Sequence, residues 1–284
     1  MATGIALEAS HEIETRDVEY RRHAGEPLFA RLYRPRGAGP FPALIEVHGG
    51  AWNSGDRLNN APLDEALAKS GIVVLAIDFR MPPASPYPAS IADVNFATRW
   101  LKAHAEEFGS RRDLVGGLGT SSGGHQLLLS ALKPNDPRYA ELPLAEAPEL
   151  DAGLPYLVLC WPISDPLARY HMVREKNNQR IVQAHHDYWP SQAAMAEGNP
   201  QLLLERGEAG ALPPAILVQG TADDNVTPDM ADRFVAAYRA GGGEIQLEKY
   251  AGQPHTFIIR DPAAEASRRA TELIRDFVIR HARV

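Results

Sequence analysis

Hydrophobic residues in this chain follow two rhythms that alternate along its length. Short, continuous apolar runs at 43–47, 72–77, 114–118, 156–160 and 215–218 are rich in Val, Ile and Leu, and each is bounded by Gly or Pro. Such runs suit strands covered on both faces, as in a parallel sheet, because they reserve no positions for solvent. Between them, segments at 62–70, 90–108, 122–132, 228–240 and 263–281 carry apolar residues at helical spacing. Val18 and Tyr20, followed by 28–33, flank a turn-like stretch at 23–27 and predict an antiparallel hairpin leading in. The whole pattern predicts a doubly wound α/β fold with a mostly parallel sheet and an N-terminal antiparallel hairpin.

Two stretches break the rhythm. Residues 133–154 are rich in Pro, Ala and Glu, and residues 163–213 hold helical pieces separated by Pro166, Pro190 and Pro200. The second stretch separates two core strands and is too long for a plain connection. It is read as an inserted helical cap or lid subdomain within a single domain spanning 1–284.

Composition narrows the partners. The chain has 284 residues and a formal net charge of −7, and its basic clusters are short pairs such as Arg21-Arg22 and Arg111-Arg112. That balance argues against nucleic acid. Residues 1–14 lack a basic segment followed by an apolar one, and no apolar stretch approaches membrane-spanning length. These features indicate a cytoplasmic protein with no membrane partner. The lone cysteine, Cys160, sits in an apolar run where a buried strand residue is expected. His185-His186-Asp187 offers ligating atoms, but adjacent side chains on a helix diverge by about 100° and rarely share a metal. No metal or cofactor is expected.

Gly119-Thr120-Ser121-Ser122-Gly123-Gly124 follows one of the apolar runs and leads into a helix. Only Ser121 has glycines two positions away on both sides, so it fits Gly-x-Ser-x-Gly and is the candidate nucleophile. A serine at a sharp strand-to-helix turn needs close backbone passage, which a neighbouring Cβ would block. The helix starting at Ser122 also directs its free N–H groups toward the place where an oxyanion would form. A serine hydroxyl needs a base, and the base needs an orienting carboxylate. Asp223 and Asp224 follow the strand at 215–218, and His255 follows the strand at 244–250 on a Gly- and Pro-containing loop. Both positions are strand ends of the kind where open α/β sheets place their sites. Asp165 also lies near a strand end, but suits a helix cap. His125, four residues beyond Ser121, points into the domain and suits a hydrogen-bonded core histidine.

With its order Ser121, acid, His255, the chain resembles the α/β-hydrolase superfamily over nearly its whole length. Within it, the resemblance is to the carboxylesterase branch related to hormone-sensitive lipases and to acetyl and feruloyl esterases. Four matches carry this in order: His48-Gly49-Gly50-Ala51-Trp52 as the oxyanion loop, 119–123 as the elbow, 220–223 as the acid turn and 252–255 as the base loop. The resemblance implies an α/β-hydrolase fold with Ser121, Asp223 and His255 as the catalytic residues. Asp223 is preferred to Asp224 because it matches the family's Gly-x-x-Asp-x-x-Val turn. The oxyanion hole implied by the resemblance is formed by Gly50, Ala51 and Ser122, with His48 ordering the loop. Ala51 departs from the family, which often has a third glycine there.

The implied activity is serine carboxylesterase action on short-chain or aryl esters, the partner being a small-molecule ester. Trp52, Trp161, Tyr188 and Trp189 are candidate apolar walls for that substrate, although aromatic residues at such spacings also serve as ordinary core. Two other readings stay open. One is an amidase of the kynurenine formamidase type, which shares the elbow and the His-Gly-Gly loop. The other is a non-catalytic binding protein on the same scaffold, as in the gibberellin receptors, which lack a working base. The terminal helix, with Leu273, Ile274, Phe277 and Val278, offers an apolar face either to the sheet or to a homodimer.

Overall fold

The computed structural model describes residues 10–282; the first nine residues of the leader reading at 1–14 lie outside them. Eight strands form one sheet in the order β1-β2-β4-β3-β5-β6-β7-β8. Strands β1 (Ile13–His23) and β2 (Glu26–Pro35) make the hairpin, and β2 pairs antiparallel with β4 (Val73–Ile77). The pairings among β4, β3 (Ala43–Val47), β5 (Val115–Thr120), β6 (Leu157–Cys160), β7 (Ala215–Gly220) and β8 (Ile245–Tyr250) are parallel. This is the mostly parallel sheet with an N-terminal antiparallel hairpin that the run pattern predicts, and it agrees with the α/β-hydrolase fold that the resemblance implies.

The apolar runs are continuous because both faces are covered. Ala43, Ile45 and Val47 of β3 pack with α2 (Ala89–Ala103), α3 (Ser122–Leu132) and α8 (Pro228–Ala240). Leu44, between them, packs on the opposite face with α1 (Ala61–Lys69), α9 (Phe257–Arg260) and α10 (Glu265–Ala282). The period of two along each strand thus feeds two separate apolar layers. Ile274, Phe277 and Val278 belong to the second layer, with Leu273 packed against it, so the sheet takes up the apolar face of α10. Helix α2 stops earlier than its 90–108 pattern predicts. His104 closes it by donating both its backbone N–H and its ring Nδ1 to Trp100 O, and the chain turns at Gly109. No helix among the described residues is long and apolar enough to cross a membrane.

Residues 163–213 leave the sheet between β6 and β7 and carry α4 (Pro166–Glu175), α5 (Gln179–Tyr188), α6 (Gln192–Glu197) and α7 (Pro200–Glu205). Pro166 and Pro200 open helices, where a missing N–H costs nothing. A break absent from the proline pattern falls at Asn177, whose φ of 54° turns the chain between α4 and α5.

Strand order reverses between β3 and β5. The chain leaves β3 for α1 on one face and leaves β5 for α3 on the other, opening a crevice at their carboxyl ends. Beneath that crevice lies a buried acid pair. Glu46 of β3 accepts from Asn60 Nδ2 at 2.5 Å, Asn60 also donates to Thr120 Oγ1 at 3.0 Å, and both Asp64 carboxylate oxygens lack a partner among the described residues. Burial pushes Glu46 up to about 8. Burial first, and the Glu46 charge second, raise Asp64 well above the usual carboxylate range.

The folded chain therefore keeps protons that the unfolded chain releases above its ordinary carboxylate values. The stability from this pair is complete in acid and is lost as pH climbs toward 8. In thermal melts between about pH 5 and pH 9, a Glu46→Gln, Asp64→Asn variant should lose less Tm with rising pH than the wild type. Equal slopes would contradict protonated acids at this position.

Candidate active site

Ser121 sits between β5 and α3 with φ 51° and ψ −118°, a conformation that L-residues avoid unless their surroundings enforce it. Three backbone hydrogen bonds enforce it here: Ser121 N–H to Cys160 O, Ile163 N–H to Ser121 O and His125 N–H to Ser121 O, at 3.0, 3.0 and 3.2 Å. The turn brings α3 hard against the end of β3. A Cβ on Gly123 would overlap the carbonyl oxygens of both Val47 and His48, so glycine is required for this approach. Ser121 itself is 5% exposed and lines a cavity of about 300 Å³.

The 48–52 loop closes over that junction. His48 donates from Nδ1 to Gly49 O at 2.6 Å and stacks on Phe79 at 4.4 Å, while burial lowers its pKa and keeps it neutral. Gly50 has φ 123°, and a Cβ there would overlap Ser54 O. Ala51 and Trp52 adopt left-handed φ values of 51° and 68°. Trp52 N–H donates to Ser122 Oγ at 3.1 Å, tying the loop to the first turn of α3. Gly50 and Ala51 border the cavity, and no acceptor among the described residues takes their N–H groups. Ser122 is the first residue of α3, so its N–H also lacks an intrahelical acceptor.

The acid and base loops are latched together. Ala222 N–H donates to Gln253 O at 3.0 Å, and Gly252 N–H donates to Thr221 Oγ1 at 2.8 Å. Asp223 Oδ1 accepts from the N–H groups of Asn225 and Val226 at 2.9 and 2.8 Å. Its Oδ2 accepts from Gln219 Nε2 at 3.1 Å and from His255 Nδ1 at 2.7 Å. Since a carboxylate only accepts, Nδ1 carries the proton, and Nε2 is left to accept from Ser121 Oγ at 3.0 Å. Both distances lie in the range needed for proton transfer. Asp224 is exposed and has no part in this chain of bonds. Asp165 caps α4, accepting from Ala168 N–H at 2.9 Å.

The aromatic residues go elsewhere. Trp52, Tyr188 and Trp189 form a buried cluster in which Trp52 and Tyr188 stack at 5.1 Å, and Trp161 packs on Phe257. None of the four lines the cavity, which corrects their reading as substrate walls: Trp52, Tyr188 and Trp189 are taken up by packing on one another, and Trp161 by packing on Phe257 and the His255 ring. His125 accepts from Trp52 Nε1 at Nδ1 and donates from Nε2 to Gly198 O. Burial lowers it to about 4, so it is a neutral core histidine. Cys160 is buried in β6, and burial pushes its thiol up, away from the thiolate.

Sequence reasoning missed Arg169, Arg180 and Asn225, which line the cavity with Ser121 and His255. A signal existed for Arg169: it lies on the buried stripe of α4 with Pro166, Tyr170 and Val173, where a cation is out of place. Burial lowers it to about 9, with Asp223 opposing and Arg180 adding to the shift. It is still a cation at neutral pH.

Residues 31–238 match the family model described as BD-FAE. Esterase LipC from Mycobacterium tuberculosis is 32% identical over 229 residues, covering 79% of this chain and 55% of that one. Carboxylic ester hydrolase LipN from the same organism is 29% identical over 259 residues, covering 87% and 65%. The chain spans between 24% and 65% of the length of these and two further curated Mycobacterium tuberculosis relatives. Among solved structures, the thermophilic carboxylesterase EstE1, cloned from a metagenomic library, superposes with a TM-score of 0.77 at 25% identity, covering 94% of this chain and 89% of that one. With the model matching most of its length and the sheet described above, the chain belongs to the BD-FAE family of α/β-hydrolases.

Proposed function

We propose that the chain is a serine carboxylesterase that hydrolyses short-chain or aryl esters through an acyl-enzyme on Ser121. The observation that carries this reading is the continuous relay from Asp223 through His255 to Ser121, at 2.7 and 3.0 Å, ending in a cavity edged by unused N–H groups. Its resemblance to the named carboxylic ester hydrolases supports the choice of bond.

In this mechanism His255 Nε2 takes the Ser121 hydroxyl proton as Oγ attacks the ester carbonyl carbon. The carbonyl oxygen becomes an oxyanion and accepts from the N–H groups of Gly50, Ala51 and Ser122, each worth about 3 kcal/mol to the transition state. The carbon–oxygen bond breaks, and the proton on His255 passes to the leaving alkoxide. A water then enters and gives a proton to His255 as its oxygen attacks the acyl carbon; the bond to Ser121 Oγ breaks, His255 returns that proton to Oγ, and the acid is released. Asp223 holds the imidazole tautomer and stabilises the imidazolium throughout.

The segment 163–213 serves as a cap in this reading, supported by Arg169, Arg180 and Ile181 at the cavity wall. The cavity of about 300 Å³ suits a short acyl chain or a single ring. A binding-only role would leave the His255 relay without use.

Wild-type protein should hydrolyse 4-nitrophenyl acetate and butyrate, and Ser121→Ala should reduce kcat by about 10⁶-fold or to background. Full activity in that variant would move the nucleophile elsewhere. Asp223→Asn should lower kcat by about 10³- to 10⁴-fold, while Asp224→Asn stays near wild type, as read in steady-state assays. The reverse order would move the acid by one residue. An N-formyl aryl amide assayed beside the esters separates amidase from esterase: faster turnover of the amide would replace this reading with the formamidase one.

A further inference from the structure

Arg169 is fully buried on α4 and fixed on three sides. Its Nε and Nη2 donate to Asn225 O and Oδ1 at 3.3 and 2.5 Å, and its guanidinium lies 5.7 Å from the Trp52 ring centre. Its Nη1 is buried with no acceptor among the described residues, although the side chain forms part of the cavity wall. A buried guanidinium N–H left unused is costly, and a structure keeps one where something else completes it. Arg180, at the start of α5, borders the same cavity, is exposed, and has neither ion pair nor hydrogen bond among the described residues.

No carboxylate lines the Ser121 cavity to satisfy this pair. Asp223, the nearest acid along the chain of bonds, already accepts four hydrogen bonds. The adjoining pocket, which shares Arg180, Asn225 and His255, adds Lys176 and Arg260 against Asp224 alone. A chain of net charge −7 therefore sets four cations, Arg169, Arg180, Lys176 and Arg260, around the Ser121 cavity and the pocket beside it. A focused positive field of that kind draws anions toward a cleft.

We infer that Arg169 and Arg180 form an anion subsite that binds a free carboxylate on the ester, so that the preferred substrates are small esters carrying a second, unesterified carboxyl group. The inference rests on the reading of Ser121 as the nucleophile. A carboxylate accepts from the planar guanidinium fork through two parallel bonds, a geometry that Lys does not reproduce. Asn225 links this subsite to the relay: its N–H donates to Asp223 while its oxygens accept from Arg169. Charge on the acyl side and charge on the alcohol side of the ester share this chemistry.

Two matched pairs distinguish the sides: monoethyl succinate against ethyl butyrate for the acyl side, and 4-acetoxybenzoate against phenyl acetate for the alcohol side. In at least one pair the charged ester should have a kcat/KM about tenfold higher, the gain lying in KM and shrinking with added salt. Arg180→Ala, at an exposed position, and Arg169→Lys should each lower that charged-to-neutral ratio by about tenfold. Equal ratios in both pairs, or a preference that Arg180→Ala leaves intact, would overturn the subsite. If neither neutral nor charged ester is turned over, the hydrolase reading fails, and calorimetric titration of monoethyl succinate and 4-acetoxybenzoate into the wild-type protein decides the subsite alone. Binding lost in Arg180→Ala supports it, and absence of binding for both overturns it.

Discussion

The close approach of α3 to the end of β3 governs this molecule. Gly123 lies so near the Val47 and His48 carbonyls that no side chain fits between them, and the same contact puts the first turn of α3 under the 48–52 loop. Once that junction is made, Ser121 has to turn through a left-handed φ, and Trp52 N–H reaches Ser122 Oγ. The strain of Ser121 is sustained by hydrogen bonds from two directions, from β6 at Cys160 and from Ile163 where the 163–213 segment begins. Ser121, the 48–52 loop and the 163–213 segment therefore share one anchor. A disturbance there would be felt in all three.

The electrostatics of the crevice follow from what each buried polar group finds. Asp223 accepts four hydrogen bonds, which fix its direction toward His255. His48 and His125 are each buried without a carboxylate, so burial lowers both and removes them as rival bases. Arg169 is the exception, since its burial is only partly offset by Asn225. Glu46 and Asp64 sit one layer below, neutral by desolvation, with Asn60 carrying the connection from Glu46 to Thr120, the residue before Ser121.

Much of this was legible in the sequence because the strands are short, apolar on both faces and punctuated by Gly or Pro. Helix α8 matches its predicted span, and α3 follows directly from the elbow. The positions of Ser121, Asp223 and His255 were readable because strand ends are marked by the apolar runs themselves. What could not be read was the packing between elements distant in sequence. Trp52, Tyr188 and Trp189 come from the loop after β3 and the end of α5, and only their meeting in space makes them core instead of cavity wall. Arg169 and Arg180 lie on α4 and α5, whose angle to the sheet no local pattern encodes. The end of α2 at Ala103 depended on a side-chain bond from His104, which helical periodicity does not report.

We propose Ser121, and no other hydroxyl, as the nucleophile that this junction exposes. Peptide mapping by mass spectrometry after reaction with a fluorophosphonate probe tests it most directly. The account predicts one adduct per chain, carried on Ser121. An adduct on Ser122 or on another residue, or no adduct on folded protein, would contradict it.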